Sequence, residues 1–208
     1  MIFKDRFQAA KMLVRNLQKY KNCKDTIVLA LPKGGIPLGD VISKELNLPF
    51  SIFFVNKITS PFNKEVTIGS ICESKYIFKN YNLIDVLGIP SNYIETTTEE
   101  LLENIKEKKK LYSIKPINLK RKRVILVDDG VATGSSVLLA IVALKKAEYV
   151  KEVIVASPIA SADGIKLIKS MADGVEVLLT PKNFTTVSAY YQRFHHLSDN
   201  EVIKYLNR

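Results

Sequence analysis

Cysteine and histidine are scarce in this chain. Cys23 and Cys72 are its two cysteines and stand in no metal-like spacing. Neither a zinc site nor a disulfide framework is encoded, and reduced thiols are expected. The two histidines, His195 and His196, are adjacent. That leaves little ground for a histidine metal centre or a histidine general base. No apolar run approaches the roughly 20 residues needed to cross a bilayer; the longest, residues 137–144, stops at Lys145 and Lys146. The opening residues, Met1-Ile-Phe-Lys-Asp-Arg6, are charged and contain no apolar signal core. A cytoplasmic protein without a membrane partner is the expectation. Internal repeats, low-complexity segments and flexible linkers are absent as well.

What remains is ordinary globular material. The 208 residues are 47% hydrophobic and 25% charged, enough for one domain with a sizeable core. The expected layout is a core over about residues 1–180 followed by a tail over about 181–208. Net charge is +10, densest at 106–110 (Lys-Glu-Lys-Lys-Lys) and 120–123 (Lys-Arg-Lys-Arg). Such runs are usually solvated faces, but they also attract nucleic acid or small polyanions. Charge alone does not separate these.

Phe7, Ala10, Leu13, Val14 and Leu17 recur at helical spacing, which predicts a helix over 6–20. Residues 27–31 are wholly apolar and suit a strand buried on both faces. Pro32-Lys33-Gly34-Gly35 ends it, and a helix is predicted to about Leu46. Residues 51–56 read as the next strand, 57–64 as a loop, and 66–71 with 75–78 as a short hairpin. Thr96, Thr97 and Thr98 before Glu99 and Glu100 predict a helix start, with a highly charged helix over 97–113. Strands at 124–127, 153–157 and 175–179 alternate with helices at 134–147 and 162–171, and two short helices follow over 185–207. Alternation of this kind predicts an α/β fold, a mainly parallel twisted sheet flanked by helices.

The most informative stretch is Val124-Ile-Leu-Val-Asp-Asp-Gly-Val-Ala-Thr-Gly-Ser-Ser136. Four apolar residues form a strand, and two carboxylates stand at its carboxyl end, where open α/β sheets place ligands. Gly134, Ser135 and Ser136 then open a helix whose free N–H groups and dipole suit a phosphate. Acceptors for sugar hydroxyls beside donors for a phosphate fit a ribose 5-phosphate. A P-loop is excluded, since Gly-x-x-x-x-Gly-Lys-Ser/Thr occurs nowhere. A phospho-receiver domain carries its acidic pair on the first strand, and too little chain follows Asp129 for the rest of one. An ordinary turn leaves the Thr-Gly-Ser-Ser entry into a helix unexplained.

This segment resembles the 5-phosphoribosyl-1-pyrophosphate (PRPP) signature of type I phosphoribosyltransferases. Phe3-Lys-Asp-Arg-Phe-Gln-Ala9, Leu31-Pro-Lys-Gly-Gly35, Val55-Asn-Lys57, Pro61-Phe-Asn63 and the stretch from Phe184 through Tyr190 and Tyr191 extend the likeness. Together they make nearly the full length similar to a small, poorly characterised subgroup of that family. The resemblance implies the type I fold with a small hood built from the tail. It implies transfer of a phosphoribosyl group from PRPP to a nitrogenous base, with release of pyrophosphate, in nucleotide salvage or synthesis.

It also implies roles. Asp128 and Asp129 face the ribose hydroxyls, where negative charge favours an oxocarbenium-like state. Ala132, Thr133, Gly134, Ser135 and Ser136 hold the 5-phosphate. Lys33, Gly34 and Gly35 form the pyrophosphate loop, with a cis peptide expected at Lys33–Gly34. Lys57 contacts pyrophosphate and precedes a mobile loop over 58–66. Mg²⁺ arrives on PRPP oxygens and water rather than in a protein cage. Phe184, Tyr190 and Tyr191 are the aromatic candidates for stacking on the base. Enzymes acting on 6-oxopurines typically carry an aspartate before Thr-Gly, where this chain has Ala132, which argues against hypoxanthine or guanine. The alternative is a catalytically silent PRPP-binding regulator, with nucleic acid as a weaker candidate partner and a homodimer left open.

Overall fold

A computed structural model describes residues 2–206; residue 1 and the last two residues of the predicted tail lie outside the description. A five-stranded parallel sheet has the order β2-β1-β6-β7-β8. Its strands are β1 (Thr26–Ala30), β2 (Phe50–Ile52), β6 (Arg123–Val127), β7 (Glu152–Ile159) and β8 (Gly174–Leu179). The apolar runs are continuous because both faces are covered. Ile27, Leu29, Val124, Leu126, Val153 and Val155 point to one side and pack on Leu139, Ile141 and Leu144 of α5 (Ser135–Lys146) and Ile168 of α6 (Ala162–Lys169). Their alternates Val28, Ile125, Val127, Ile154 and Ala156 point the other way. They meet Leu13 and Leu17 of α1 (Arg6–Leu17) and Leu38, Ile42 and Leu46 of α2 (Gly35–Leu46). Each such Val, Leu or Ile side chain contributes roughly 1.5–3 kcal/mol on full burial.

Local signals set several ends. Asp5 caps α1 by accepting from the Gln8 N–H at 2.9 Å. A 3-10 turn, Gln18–Tyr20, finishes the segment predicted as one helix. Asn47 closes α2 in the left-handed region, at φ 53°.

Two expectations need correction. The strand predicted at 51–56 is two strands in different sheets. β2 pairs with β1, whereas β3 (Val55–Thr59) joins β4 (Thr67–Cys72) and β5 (Ile77–Lys79) in an antiparallel sheet of order β3-β4-β5. The chain turns at Phe53 and Phe54, both buried, and no glycine or proline marks that corner. The helix predicted from 97 begins at Ser91 and runs to Leu111 as α4. Thr98 is therefore inside it, buried, with no hydrogen-bond partner for its hydroxyl among the described residues. Ile94 belongs to a cluster with Ile58, Ile68, Ile84 and Ile89, and that packing rather than the threonine cap sets the start. A short helix, α3 (Tyr81–Val86), capped by the Asn80 side chain, precedes it and was not predicted.

The tail holds a 3-10 turn, Val187–Tyr190, and α7 (Asp199–Leu206). Phe3 and Tyr191 pair in parallel, so the segment before α1 lies beside the tail. Among the described residues, no helix is long and apolar enough to cross a membrane.

Candidate active site

β1 and β6 are neighbours, so the loops that follow them lie side by side at the carboxyl edge of the sheet. The Leu31 N–H bonds the Val127 carbonyl at 2.9 Å, and the Gly35 N–H turns back to the Leu31 carbonyl. A Cβ on Gly34 would lie 2.2 Å from Asp129 Oδ2, and one on Gly35 would lie 2.3 Å from the Val127 oxygen. Glycine is needed at both positions because the two loops touch. The non-proline cis peptide is at Pro32–Lys33, one bond before the expected place.

After Val127 come Asp128 and Asp129, and Val131 bridges to Ala160 beyond β7. Gly134 sits at φ +79° and starts α5. The first N–H groups of a helix have no partner within it, so this turn presents donors. α6 supports it from behind. Ser161 donates to the Ala132 carbonyl while capping α6 through the Gly164 N–H, and a Cβ on Gly164 would fall 2.7 Å from that same carbonyl. Lys57, Asp128 and residues 130–137 line one cleft of about 180 Å³. Thr133 and Ser135 hydroxyls are 3.1 Å apart at its edge.

The two acids are not equivalent. Arg6 donates through Nε and Nη2 to Asp129 Oδ2, at 2.9 and 2.7 Å. Asp129 is buried, and its carbonyl accepts the Tyr191 hydroxyl at 2.6 Å. Asp128 has no ion-pair partner among the described residues and lines the cleft, its Oδ1 accepting the Asp129 N–H. Burial, reinforced by the Asp129 charge, pushes the Asp128 carboxyl well above the usual range.

The other candidates divide. Lys57 faces the cleft but lies within β3, opposite Ser70. The loop predicted from 58 starts only at Ser60, since Ile58 is buried and pairs with Gly69 across β4. Lys33 is turned away from the cleft: its Nζ is 2.8 Å from Asp199 Oδ1 and 3.1 Å from the Leu197 carbonyl. Tyr191 is buried against Phe3 and Phe194 rather than presented to a ligand, and burial drives its phenol upward. Phe184 and Tyr190 stack on each other at 5.8 Å. Val187, next to them, packs at Gly130, where a Cβ would come within 2.5 Å. Arg6, Asp199 and Ser161 are contributors that sequence reasoning misses. Of these, only Arg6 had a signal, its place in the N-terminal stretch Phe3-Lys-Asp-Arg-Phe-Gln-Ala9.

Lys108, Lys33 and the Tyr112 hydroxyl hold the Asp199 carboxyl well below its usual range. A depressed carboxyl stabilises the fold above its unfolded pKa of about 3.9. That contribution is lost as pH falls through the lower folded value. Asp199→Asn is therefore expected to lower Tm at neutral pH, with the difference shrinking in strong acid. Melts of both proteins across that range check it.

Residues 2–192 match the family described as the phosphoribosyl transferase domain. The chain belongs to this family. A provisionally designated phosphoribosyl transferase of Mycobacterium tuberculosis H37Rv is 28% identical over 209 aligned positions, covering 100% of this chain and 47% of that protein. The chain thus spans about half the length of the curated relatives it matches. A crystal structure of a Thermus thermophilus protein shares 28% identity at a TM-score of 0.81, covering 99% of this chain and 98% of that one. A Neisseria gonorrhoeae protein solved with bound ppGpp is 13% identical at 0.51, covering 100% and 97%, a likeness in fold. The phosphoribosyl transferase domain accounts for the mainly parallel sheet flanked by helices.

Proposed function

We propose that these residues act as one phosphoribosyltransferase unit, transferring the 5-phosphoribosyl group of PRPP to a nitrogenous base other than a 6-oxopurine. The observation that carries the reading is the single cleft shared by Asp128, Lys57 and the amino end of α5. Ala132, Thr133, Gly134, Ser135 and Ser136 hold the 5-phosphate at the positive end of that helix. This leaves the ribose beside Asp128 and the pyrophosphate toward Lys57 and Gly34. The bond from C1 to the pyrophosphate oxygen breaks, the bond from C1 to the base nitrogen forms, and the base gives up a proton. Asp128 favours the positive charge that develops on the sugar, and Lys57 offsets the charge that develops on the leaving group.

Among the described residues, no group of three or more His, Cys, Asp or Glu side chains stands close enough to enclose a cation. On the proposed reading Mg²⁺ would arrive on PRPP oxygens and water, where it would neutralise pyrophosphate charge. Phe184 and Tyr190 remain the hood candidates for the base, a role Tyr191 leaves to them.

Pyrophosphate release from Mg²⁺–PRPP against a panel of purine and pyrimidine bases tests the reading, and base-dependent release is the expected result. Lys57→Ala is expected to lower kcat by about 10²-fold while changing PRPP affinity far less. Equal losses in affinity and kcat/KM would make Lys57 a binding residue only.

One observation favours a second reading, a PRPP-binding regulator. Lys33 is held by Asp199 on α7 rather than aimed at the cleft, so ligand could displace the tail without chemistry. PRPP binding in calorimetry with no release for any base would support it. Part of the basic runs is engaged within the chain: Lys106, Lys108 and Lys109 pair with Glu103, Asp199 and Glu73, and Arg123 pairs with Glu152 and Asp25.

A further inference from the structure

The N-terminal stretch around Arg6 has no part in the mechanism above, yet it reaches the acid pair. Arg6 and Asp129 are 123 residues apart, and their side chains are only 8% and 12% exposed. Each of the three guanidinium nitrogens donates a hydrogen bond. Two donors go to one carboxylate oxygen, Nη1 goes to the His195 carbonyl at 2.9 Å, and Cζ lies 3.9 Å from the centre of the Phe194 ring. Asp129 is fixed just as fully, with Gly34 packed against its carboxylate and the Tyr191 hydroxyl on its carbonyl. A fork that fills one carboxylate from a rigid direction sets geometry as well as charge.

We infer that Arg6 is a positioning residue that splits the acid pair into two jobs. It fixes Asp129 as a neutralised strut beneath the pyrophosphate loop and leaves Asp128 as the one acid free to face the sugar. The inference rests on the phosphoribosyl-transfer reading for its kinetic consequence but not for its electrostatic one. Four charged or titratable groups surround Asp128: Asp129 on its own loop, Arg6 on α1, Tyr191 on the tail and Lys57 on β3. Among them Arg6 favours the ionised form of Asp128, and Asp129 opposes it.

Arg6→Lys keeps the charge and loses the fork. It is expected to lower kcat by roughly tenfold or more with KM for PRPP within about threefold. Arg6→Gln leaves the Asp129 carboxylate buried and unpartnered and should be worse, whereas the Arg6→Gln/Asp129→Asn double variant, with an uncharged pair, should recover most of that loss. A wild-type kcat in Arg6→Lys, or a double variant no better than Arg6→Gln, would overturn the assignment. A second measurement needs no activity. The Asp128 carboxyl is titrated by carbon NMR in full-length Asp129→Asn and in the double variant. With position 129 uncharged in both, loss of the guanidinium should move the Asp128 midpoint upward. Identical midpoints would sink the inference even if wild-type protein transfers phosphoribose; an upward move sustains it even if wild-type protein releases no pyrophosphate, an outcome that removes only the enzymatic reading.

Discussion

On the proposed phosphoribosyl transfer, Asp128→Asn is expected to cut pyrophosphate release by about 10²–10³-fold while leaving the protein as stable as before or more so. The carboxylate that would face the sugar is lost, but the amide oxygen can still accept the Asp129 N–H that Asp128 Oδ1 holds. Stability follows from the raised pKa. The folded state keeps its proton on Asp128 to higher pH than the unfolded chain does, because burial and the Asp129 charge disfavour ionisation. Stability of the native protein therefore falls as pH rises from the unfolded carboxyl value toward the folded one. The asparagine variant has no such loss, so its Tm should equal or exceed the wild-type Tm at neutral pH and converge with it in acid. Asp129→Asn should behave in the opposite way. It strips a buried guanidinium of its charge partner, at a cost of about 3 kcal/mol, or a Tm drop of roughly 6–12 °C for a chain of this length. Melting curves and release assays on the two single variants separate them. Similar stability losses in both would mean the acids are not divided as described.

Gly35→Ala is expected to be the most damaging single methyl in the molecule. The added Cβ would sit 2.3 Å from the Val127 oxygen and 3.2 Å from the Asp128 Cα, both backbone atoms of the neighbouring loop. Backbone in the centre of a parallel sheet cannot swing aside as a side chain does. Relief has to come from pushing apart the ends of β1 and β6, which carry the two halves of the site. Overpacking of this kind costs about 1–3 kcal/mol, and the displacement would also separate the loop that follows β1 from Asp128. Loss of most activity together with a Tm drop of several degrees is expected. A control is Gly88→Ala, where among the described residues nothing beyond its two chain neighbours lies within 4 Å of the new Cβ and only the left-handed φ of +60° opposes it. That variant should keep full activity, and equal activity in both proteins would remove the close-contact argument.

Much of this was legible in the residues, and the limits have a physical pattern. The β6 strand, its acids and the entry to α5 are contiguous, so one stretch of 13 residues displays strand, ligand edge and helix start together. The central strands are equally plain, because a strand covered on both faces must be apolar at every position. The corner between β2 and β3 is hidden for the same reason: Phe53 and Phe54 are buried on either side of a turn and look like more strand. A local threonine cap at 96–98 competes with isoleucine packing one turn earlier, and burial wins. Ion pairs such as Arg6–Asp129 and Lys33–Asp199 join residues more than a hundred positions apart, and no spacing rule in the sequence links their members. Tyr191 shows the same limit. Its aromatic character is evident, but whether a ring faces a ligand or the core depends on Phe3 and Phe194, met only after folding.

The pairing of Phe3 with Tyr191, and of Arg6 with both Asp129 and the His195 carbonyl, also bears on the order in which the protein acquires its parts. During synthesis the parallel sheet has all of its strands once β8 has emerged, after residue 179. The acid pair is not yet set at that moment, because the groups that lock Arg6 are still to come. Contacts between distant parts of a chain close late in folding. A nascent chain halted after β8 should therefore hold a largely formed sheet with an unset Asp129, and the candidate site would be complete only once residues 190–195 have joined the segment that preceded every strand.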